Sequence, residues 1–318
     1  MSVKEFNTRT LVFPGDLAHA FDLADISGMN FPHVADWPYR FSSWALDNPL
    51  NTQGWFDASS RLWGWAVLQT PFWAIDCLVH PDAPPELYPQ MLTWAKKRAK
   101  EMVIAGEGHP DWFISIAEIC HAQRRSLESL GFEDMSGKGE DSWSKVLFEL
   151  GDDQRLPVMK LPKGFQIRSL NPDMEIQAYV DLHREVFQTE NMTFDWRKRA
   201  TQAKDYDNTL DLVVVSEKGS LEGFCVAWLR RQVNGEIVGQ IEPLGVRESQ
   251  RGQKLSQVLL LEAIRRLQEL HAIRIFVETD KKRTAAMEAY ASMGFKISRE
   301  VKVYRYIIPV NRLIPYNY

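Results

Sequence analysis

Two stretches far apart in the chain end alike: RRSLESLGFEDM at 124–135 and TAAMEAYASMGFKI at 284–297. Each has the apolar spacing of a short helix, closes on Gly-Phe and passes into strand-forming residues. A glycine just past a helix adopts the left-handed conformation that stops it, and the phenylalanine tucks beneath the helix it ends. Upstream the likeness continues. WGWAVLQTPFWAIDCLVHP (63–81) and EGFCVAWLRRQVNGEIVGQIEPLGV (222–246) each read as a hairpin whose second strand leads into a helix. Those helices are ELYPQMLTWAKKRAKE and KLSQVLLLEAIRRLQEL. The chain is therefore expected to fold as two similar units in tandem.

The second unit reads clearly. FQIRSL is a strand; Asn171 is placed to cap a helix with Pro172 at its first position. A short helix follows near FDWRKRATQA, then strands at DLVVVSE, LEGFCVAWLRR and IVGQIEPLGV, with Asn-Gly marking a hairpin between the last two. A loop and helix, the strand IRIFVET, the helix RTAAMEAYASM and the closing strand FKISREVKVYRYII complete it. This order is that of an α+β fold on a mixed sheet. The segment GDDQRLPVMKLPKG, with charge, prolines and a glycine at each end, reads as a linker over 151–164. The expected domains are thus 1–150 and 165–318.

Composition narrows the class. A chain of 318 residues that is 45% hydrophobic and 25% charged is a globular protein of two ordinary domains. No apolar run has the length of a membrane span, and the N-terminus has no signal-peptide core. Cys77, Cys120 and Cys225 are scattered, without a CxxC pair. That speaks for reduced, buried thiols in a cytoplasm and against a zinc site or disulfide framework. Acidic side chains outnumber basic ones over 1–150, and basic outnumber acidic over the remainder. Neither half is basic enough for nucleic acid, while the second suits an anionic ligand.

The loop that would receive such an anion is SQRGQKLSQVLLLEAIRRL, 249–267. The first turn of a helix presents N–H groups with no intrahelical partner, and their dipoles favour a phosphate there. Gly252 lets the backbone turn closely. Lys254 is expected in a helical conformation, with its ammonium adding positive charge, and Ser256 is small enough not to crowd. The corresponding stretch of the first half, HPDAPPEL at 80–87, has no glycine, carries Asp82 and Glu86, and loses two donors at Pro84 and Pro85.

These residues carry a resemblance to the GNAT N-acyltransferase superfamily. Its strand-loop-helix hallmark, Arg/Gln-x-x-Gly-x-Gly/Ala, is met by Arg251-Gly252-Gln253-Lys254-Leu255-Ser256. Its Asn-x-x-Ala-x-x-x-Tyr-x-x-x-Gly-Phe is met from Arg283 through Ala286 and Tyr290 to Gly294-Phe295. Lys254, Ser256 and Arg283 depart from the family residues. The resemblance covers about 165–306 well and 1–150 as a degenerate copy, with Leu127 at the place of Tyr290. The tandem layout resembles mycothiol-synthase-like double-GNAT proteins.

The resemblance implies an acetyl-CoA-dependent N-acetyltransferase that acts by direct attack of a small-molecule amine. Acetyl-CoA would be the co-substrate, its pantetheine pairing with Leu244, Gly245 and Val246. The N–H of Leu244 would face the thioester oxygen. The pyrophosphate would sit on residues 251–256, with Arg283 nearby. Tyr290 matches the general acid. Gln240 stands where the family often has a Glu, so Glu242, expected by strand alternation on the same face as Gln240 and Leu244, is the candidate base. His183 and the aromatic run DWPYRFSSWAL (36–46) could border the acceptor; a surface or structural role is the simpler reading of the histidine, and core packing that of the aromatics. A non-catalytic acyl-CoA sensor, or a peptide acetyltransferase, fits the same motifs. No residue pattern names the acceptor or an oligomeric state.

Overall fold

The computed structural model describes residues 5–27, 31–138 and 143–309. In chain order the first half holds β1 (Asn7–Arg9), α1 (Leu17–Ser27), α2 (Trp37–Arg40), β2 (Thr52–Phe56), β3 (Leu62–Gln69), β4 (Ala74–Val79), α3 (Leu87–Ile104), β5 (Asp111–Ala117), α4 (His121–Ser129), β6 (Glu133–Asp134) and β7 (Ser144–Gly151). The second holds β8 (Phe165–Ser169), α5 (Ile176–Phe187), α6 (Phe194–Thr201), β9 (Asp211–Ser216), β10 (Leu221–Arg231), β11 (Ile237–Val246), α7 (Leu255–Glu269), β12 (Arg274–Asp280), α8 (Thr284–Ser292) and β13 (Lys296–Ile307). The repeat is visible in the element order: β3-β4-α3-β5-α4 recurs as β10-β11-α7-β12-α8. Both copies end their last helix identically. Gly131 and Gly294 have φ of +84° and +93°. The next N–H, of Phe132 or Phe295, donates to the carbonyl of Leu127 or Tyr290 at 3.0 and 3.2 Å.

Two compact units result, and they do not follow the cut expected at residue 150. One comprises Met1–Pro32, Trp44–Lys145 and Glu300–Tyr318; the other His33–Ser43 and Val146–Arg299. The reason is where apolar side chains go. Val146, Phe148 and Leu150 alternate into the core of the second unit beside Leu212, Ile241 and Leu259. Tyr304 and Ile308, near the other end of the chain, lie in the core of the first unit with Trp112 and Leu127. Each unit thus takes a strand that sequence order would give to the other. Nor is 151–164 a free linker, since Leu156, Met159 and Leu161 pack on the second core.

In the first unit the strands run in the order β1-β2-β3-β4-β5-β13. Its core includes Trp55, Ala66, Leu68, Met91 and Ala95, the last two from α3. In the second unit the order is β7-β12-β11-β10-β9-β8. Here β8, β9, β10 and β11 pair antiparallel, and β12 joins β11 in parallel. One sheet face is covered by α7, whose Leu255, Leu259, Leu260, Ala263, Ile264 and Leu267 are the helical stripe buried in the core. Gly239 leaves room for Leu267, whose side-chain atoms would come within 2.8 Å of an added Cβ. The other face receives α5 through Tyr179, His183 and Phe187, all against the ring of Phe224. The helix α5 begins later than the sequence suggests. Asn171 caps a turn instead, its Oδ1 accepting from the Asp173 N–H at 3.1 Å, and Glu175 holds the N-cap position.

Candidate active site

The turn into α7 is an open cradle. Among the described residues the backbone N–H groups from Gly252 to Gln257 donate no hydrogen bond; the first committed donor is Val258, to the Lys254 carbonyl at 3.1 Å. Gly252 has φ +81° and nothing within 4 Å of where a Cβ would stand. Contrary to the helical conformation expected for it, Lys254 has φ +62° and ψ 18°, in the left-handed region. Glycine adopts this conformation freely, whereas lysine holds it at a steric cost of roughly 1–2 kcal/mol. Lys254→Gly is expected to raise stability by about 1 kcal/mol, read as a shifted urea midpoint. The Lys254 side chain is exposed and makes no ion pair among the described residues. Arg251 is within 3.6 Å of Glu248.

The strand that leads into this cradle parts early from its parallel neighbour. β11 and β12 pair only at Val238–Gln240 against Arg274–Phe276, although β11 runs on to Val246 and β12 to Asp280. Beyond Gln240 the inner edge of β11 has no strand partner on that side among the described residues. Opposite it, β10 pairs Ala227 with Ile241 and Cys225 with Leu244, so Glu242 and Pro243 form a bulge, with the indole N–H of Trp228 donating to the Glu242 carbonyl at 2.7 Å. The bulge breaks the alternation assumed from sequence. Ile241, Leu244 and Val246 all serve the α7-side core. Gln240 faces the other way, and Gly245 abuts Phe224 and Val186 of the α5 side. Gln240, Glu242 and Leu244 therefore do not share a face.

Tyr290 is held in the core by Phe148 and Phe295, ring centroids 5.7 and 5.9 Å away. Its hydroxyl makes no hydrogen bond among the described residues. Burial pushes the phenol up from its ordinary value; the carboxylate of Glu242 and the thiol of Cys225 add to this, and Arg283 opposes it. The two residues expected to act as acid and base are thus brought into each other's field, although they lie on different elements.

Glu242 has a second set of neighbours that the sequence did not reveal. It also raises Tyr39, of α2, and Tyr179, both raised first by burial. Behind Tyr179 lies a fully buried ion pair, Arg197 with Asp211, and the Tyr206 hydroxyl donates to Asp211 at 2.7 Å. The Arg197 guanidinium sits 3.8 Å from the centroid of the Tyr179 ring. The one available signal was helical period: Arg197 shares the buried face of α6 with Trp196 and Ala200. Of the aromatic run at 36–46, Trp37, Tyr39 and Phe41 belong to this unit and are buried, while Trp44 belongs to the other.

His183 is buried as well, its ring stacked on Phe224 and its Nε2 3.5 Å from the Tyr39 hydroxyl. Burial, then Arg197 and Arg184, push its pKa down to about 3 from 6.5. A folded-state value below the unfolded one gives stability that is complete above pH 6.5 and is lost as pH falls towards 3, at about 1.4 kcal/mol per pH unit. Urea unfolding at pH 6.5 and 4.5 should therefore show wild type losing roughly 2–3 kcal/mol more than His183→Gln.

The matching turn of the first unit is closed. The Leu87 N–H donates to the Pro84 carbonyl at 3.0 Å and that of Asp82 to His80 Nδ1 at 3.1 Å. Pro84, Pro85 and Pro89 have no N–H to offer. Leu127, at the place of Tyr290, is fully buried.

Residues 176–295 match the model of the Acetyltransferase (GNAT) family. The chain is 24% identical over 145 residues to a mycothiol acetyltransferase of Thermobispora bispora, covering 44% of this chain and 49% of that protein. It is 26% identical over 184 residues to that of Renibacterium salmoninarum, covering 55% and 52%. The chain thus spans about half the length of the curated relatives it matches. Among solved structures, a GCN5-related N-acetyltransferase from Sphaerobacter thermophilus superimposes with a TM-score of 0.64 at 20% identity, over 97% of this chain and 98% of that one. A tandem GNAT protein from the clavulanic acid biosynthesis pathway gives 0.65 at 12% identity, over 96% and 100%. No described helix is long and apolar enough to cross a membrane. The fold is that of tandem GNAT proteins, and residues 176–295 are similar to the GNAT acetyltransferase family.

Proposed function

We propose that the second unit transfers an acetyl group from acetyl-CoA to the amine of a small molecule by direct attack. The observation that carries this reading is the succession of open strand edge and cradle: β11 parts from β12 beyond Gln240, and the chain leaving β11 turns into a helix with six consecutive N–H groups uncommitted among the described residues. Pantetheine would pair along Leu244, Gly245 and Val246, and the pyrophosphate would lie on Arg251, Gly252, Gln253, Lys254, Leu255 and Ser256, with Arg283 adding charge. The amine nitrogen attacks the thioester carbon, Glu242 takes its proton directly or through water, and the Leu244 N–H bears the oxyanion. The carbon–sulfur bond then breaks, and Tyr290 protonates the departing thiolate. A thiolate formed beside Tyr290 would be disfavoured by burial as its phenolate is, which keeps the proton transfer feasible.

A small acceptor, not a peptide, is favoured by the burial of the 33–43 segment in the same unit, with Tyr39 within the field of Glu242. One observation favours the competing reading of a non-catalytic acyl-CoA sensor: Gln240, at a position where a base is common, is committed to backbone N–H groups. The deciding experiment is release of CoA thiol from acetyl-CoA during a screen of small primary amines, alongside a calorimetric titration with CoA. Acetyl transfer and one CoA site per chain are expected. Binding without turnover against any amine would favour the sensor, and two sites would mean that the first unit also binds. Lys254→Ala should weaken CoA more than tenfold, through loss of a charge-assisted hydrogen bond of roughly 1.5–3 kcal/mol. It should also reduce the salt sensitivity of binding; normal affinity at low salt would leave the holding to the backbone alone.

A further inference from the structure

We infer that Gln240 is a positioning residue that holds the 33–43 segment as a fixed wall on the acceptor side of Glu242; this rests on the acetyl-transfer reading above. Its Oε1 accepts from two successive backbone donors, Val34 N–H at 2.6 Å and Ala35 N–H at 2.9 Å, and the side chain is fully buried. Two donors converging on one oxygen fill its lone pairs, so this atom has no capacity left for a substrate proton. A neutral amide supplies the acceptor without the cost of a buried charge. This gives a physical reason for Gln at a place where a catalytic carboxylate would be looked for.

The rest of the segment is anchored just as firmly. His33 Nδ1 lies 2.7 Å from Asp36 Oδ2, which closes the turn into α2. The Tyr39 carbonyl accepts from the Trp196 indole N–H at 2.9 Å. The Tyr39 ring packs 5.1 Å from Trp196 and 6.3 Å from Trp228, whose own indole N–H is spent on the Glu242 carbonyl. One end of the segment is thus tied to β11, the other to α6, and the ring between them stands beside the bulge that carries Glu242. An amine reaching Glu242 has to fit against this wall, and the wall also keeps bulk water from the thioester.

The test uses amide exchange and acetyl-CoA itself. In wild-type protein the Val34 and Ala35 amides should exchange as slowly as core amides of β10 such as Cys225. Gln240→Met keeps the length but not the acceptor, and should speed those two amides by ~10²-fold. Gln240→Glu retains an acceptor oxygen and should keep them slow. With no amine present, release of CoA thiol from acetyl-CoA should rise about tenfold in Gln240→Met while acetyl-CoA affinity holds, because water gains access; Gln240→Glu should stay at the wild-type rate. Fast exchange of Val34 and Ala35 in wild type would overturn the inference without any variant, even if Gln240→Met does not fold. So would a folded Gln240→Met protein with wild-type exchange and wild-type hydrolysis. Failure of wild type to bind acetyl-CoA, with both amides slow, would instead overturn the acetyl-transfer reading.

Discussion

Tyr290→Phe is expected to lower turnover by ~10²–10⁴-fold, the range for loss of a positioned proton donor, while CoA affinity stays nearly level. The substitution removes one oxygen and leaves the ring among Phe148, Phe295 and Met293. Folding should be untouched, because the hydroxyl makes no hydrogen bond among the described residues that would be lost with it. The raised phenol stays protonated throughout the neutral range, so the acid is ready at any pH where the amine is reactive. The readout is thiol release under saturating acetyl-CoA with the best amine of the screen, and affinity by calorimetry. Parallel loss of affinity and turnover would give Tyr290 a binding role. Unchanged turnover would mean that water or another group protonates the thiolate, and the assignment from the Tyr-x-x-x-Gly-Phe pattern would fall.

That pattern was legible in the sequence because it is local. A helix stop needs a left-handed residue at one position, and Gly294 and Gly131 announce it wherever they occur. The hairpin at Asn234-Gly235 and the stripe of α7 are local in the same sense. What escaped depends on partners remote in the chain. Alternation along IVGQIEPLGV is a sound rule until a bulge shifts its parity, and the bulge is defined by β10 as much as by β11. The conformation of Lys254 was misjudged because the helical region is the default for lysine; the turn overrides it. The unit boundary was misplaced because β7 and β13 are exchanged by core packing, which leaves no mark within either strand.

The Gln240 and Glu242 assignments show the same division. From sequence they are polar residues two apart on one strand, Gln240 at the place of the family's base and Glu242 the candidate to take that role. In the fold Gln240 is enclosed by backbone donors, while Glu242 lies in the bulge, within the field of four buried groups: Tyr39, Tyr179, Cys225 and Tyr290. The proposed base lies where the ladder is irregular, because a bulge re-aims a side chain that regular pairing would commit to one face.

The buried pair behind Tyr179 gives the other large expected effect. Asp211→Ala should destabilise the second unit by about 3–5 kcal/mol, since Arg197 would remain buried as an uncompensated charge. The Tyr206 hydroxyl would lose the shorter of its two hydrogen bonds in the same step, keeping Asn208 Oδ1 at 3.0 Å. Removing both charges should cost less: Arg197→Met combined with Asp211→Leu replaces the pair with apolar volume, and such replacements are often neutral or stabilising. Urea unfolding followed by circular dichroism at pH 7 separates the cases. A single substitution costing under about 1 kcal/mol would mean that water reaches Arg197, contrary to its full burial. A double variant as unstable as the single would place the loss in packing, not in charge. The distinction bears on the site because the Arg197 guanidinium lies against Tyr179, whose phenol shares the field of Glu242. If the pair serves to fix that ring, the double variant should recover stability but not acetyl transfer, and the gap between the two measures its contribution to positioning.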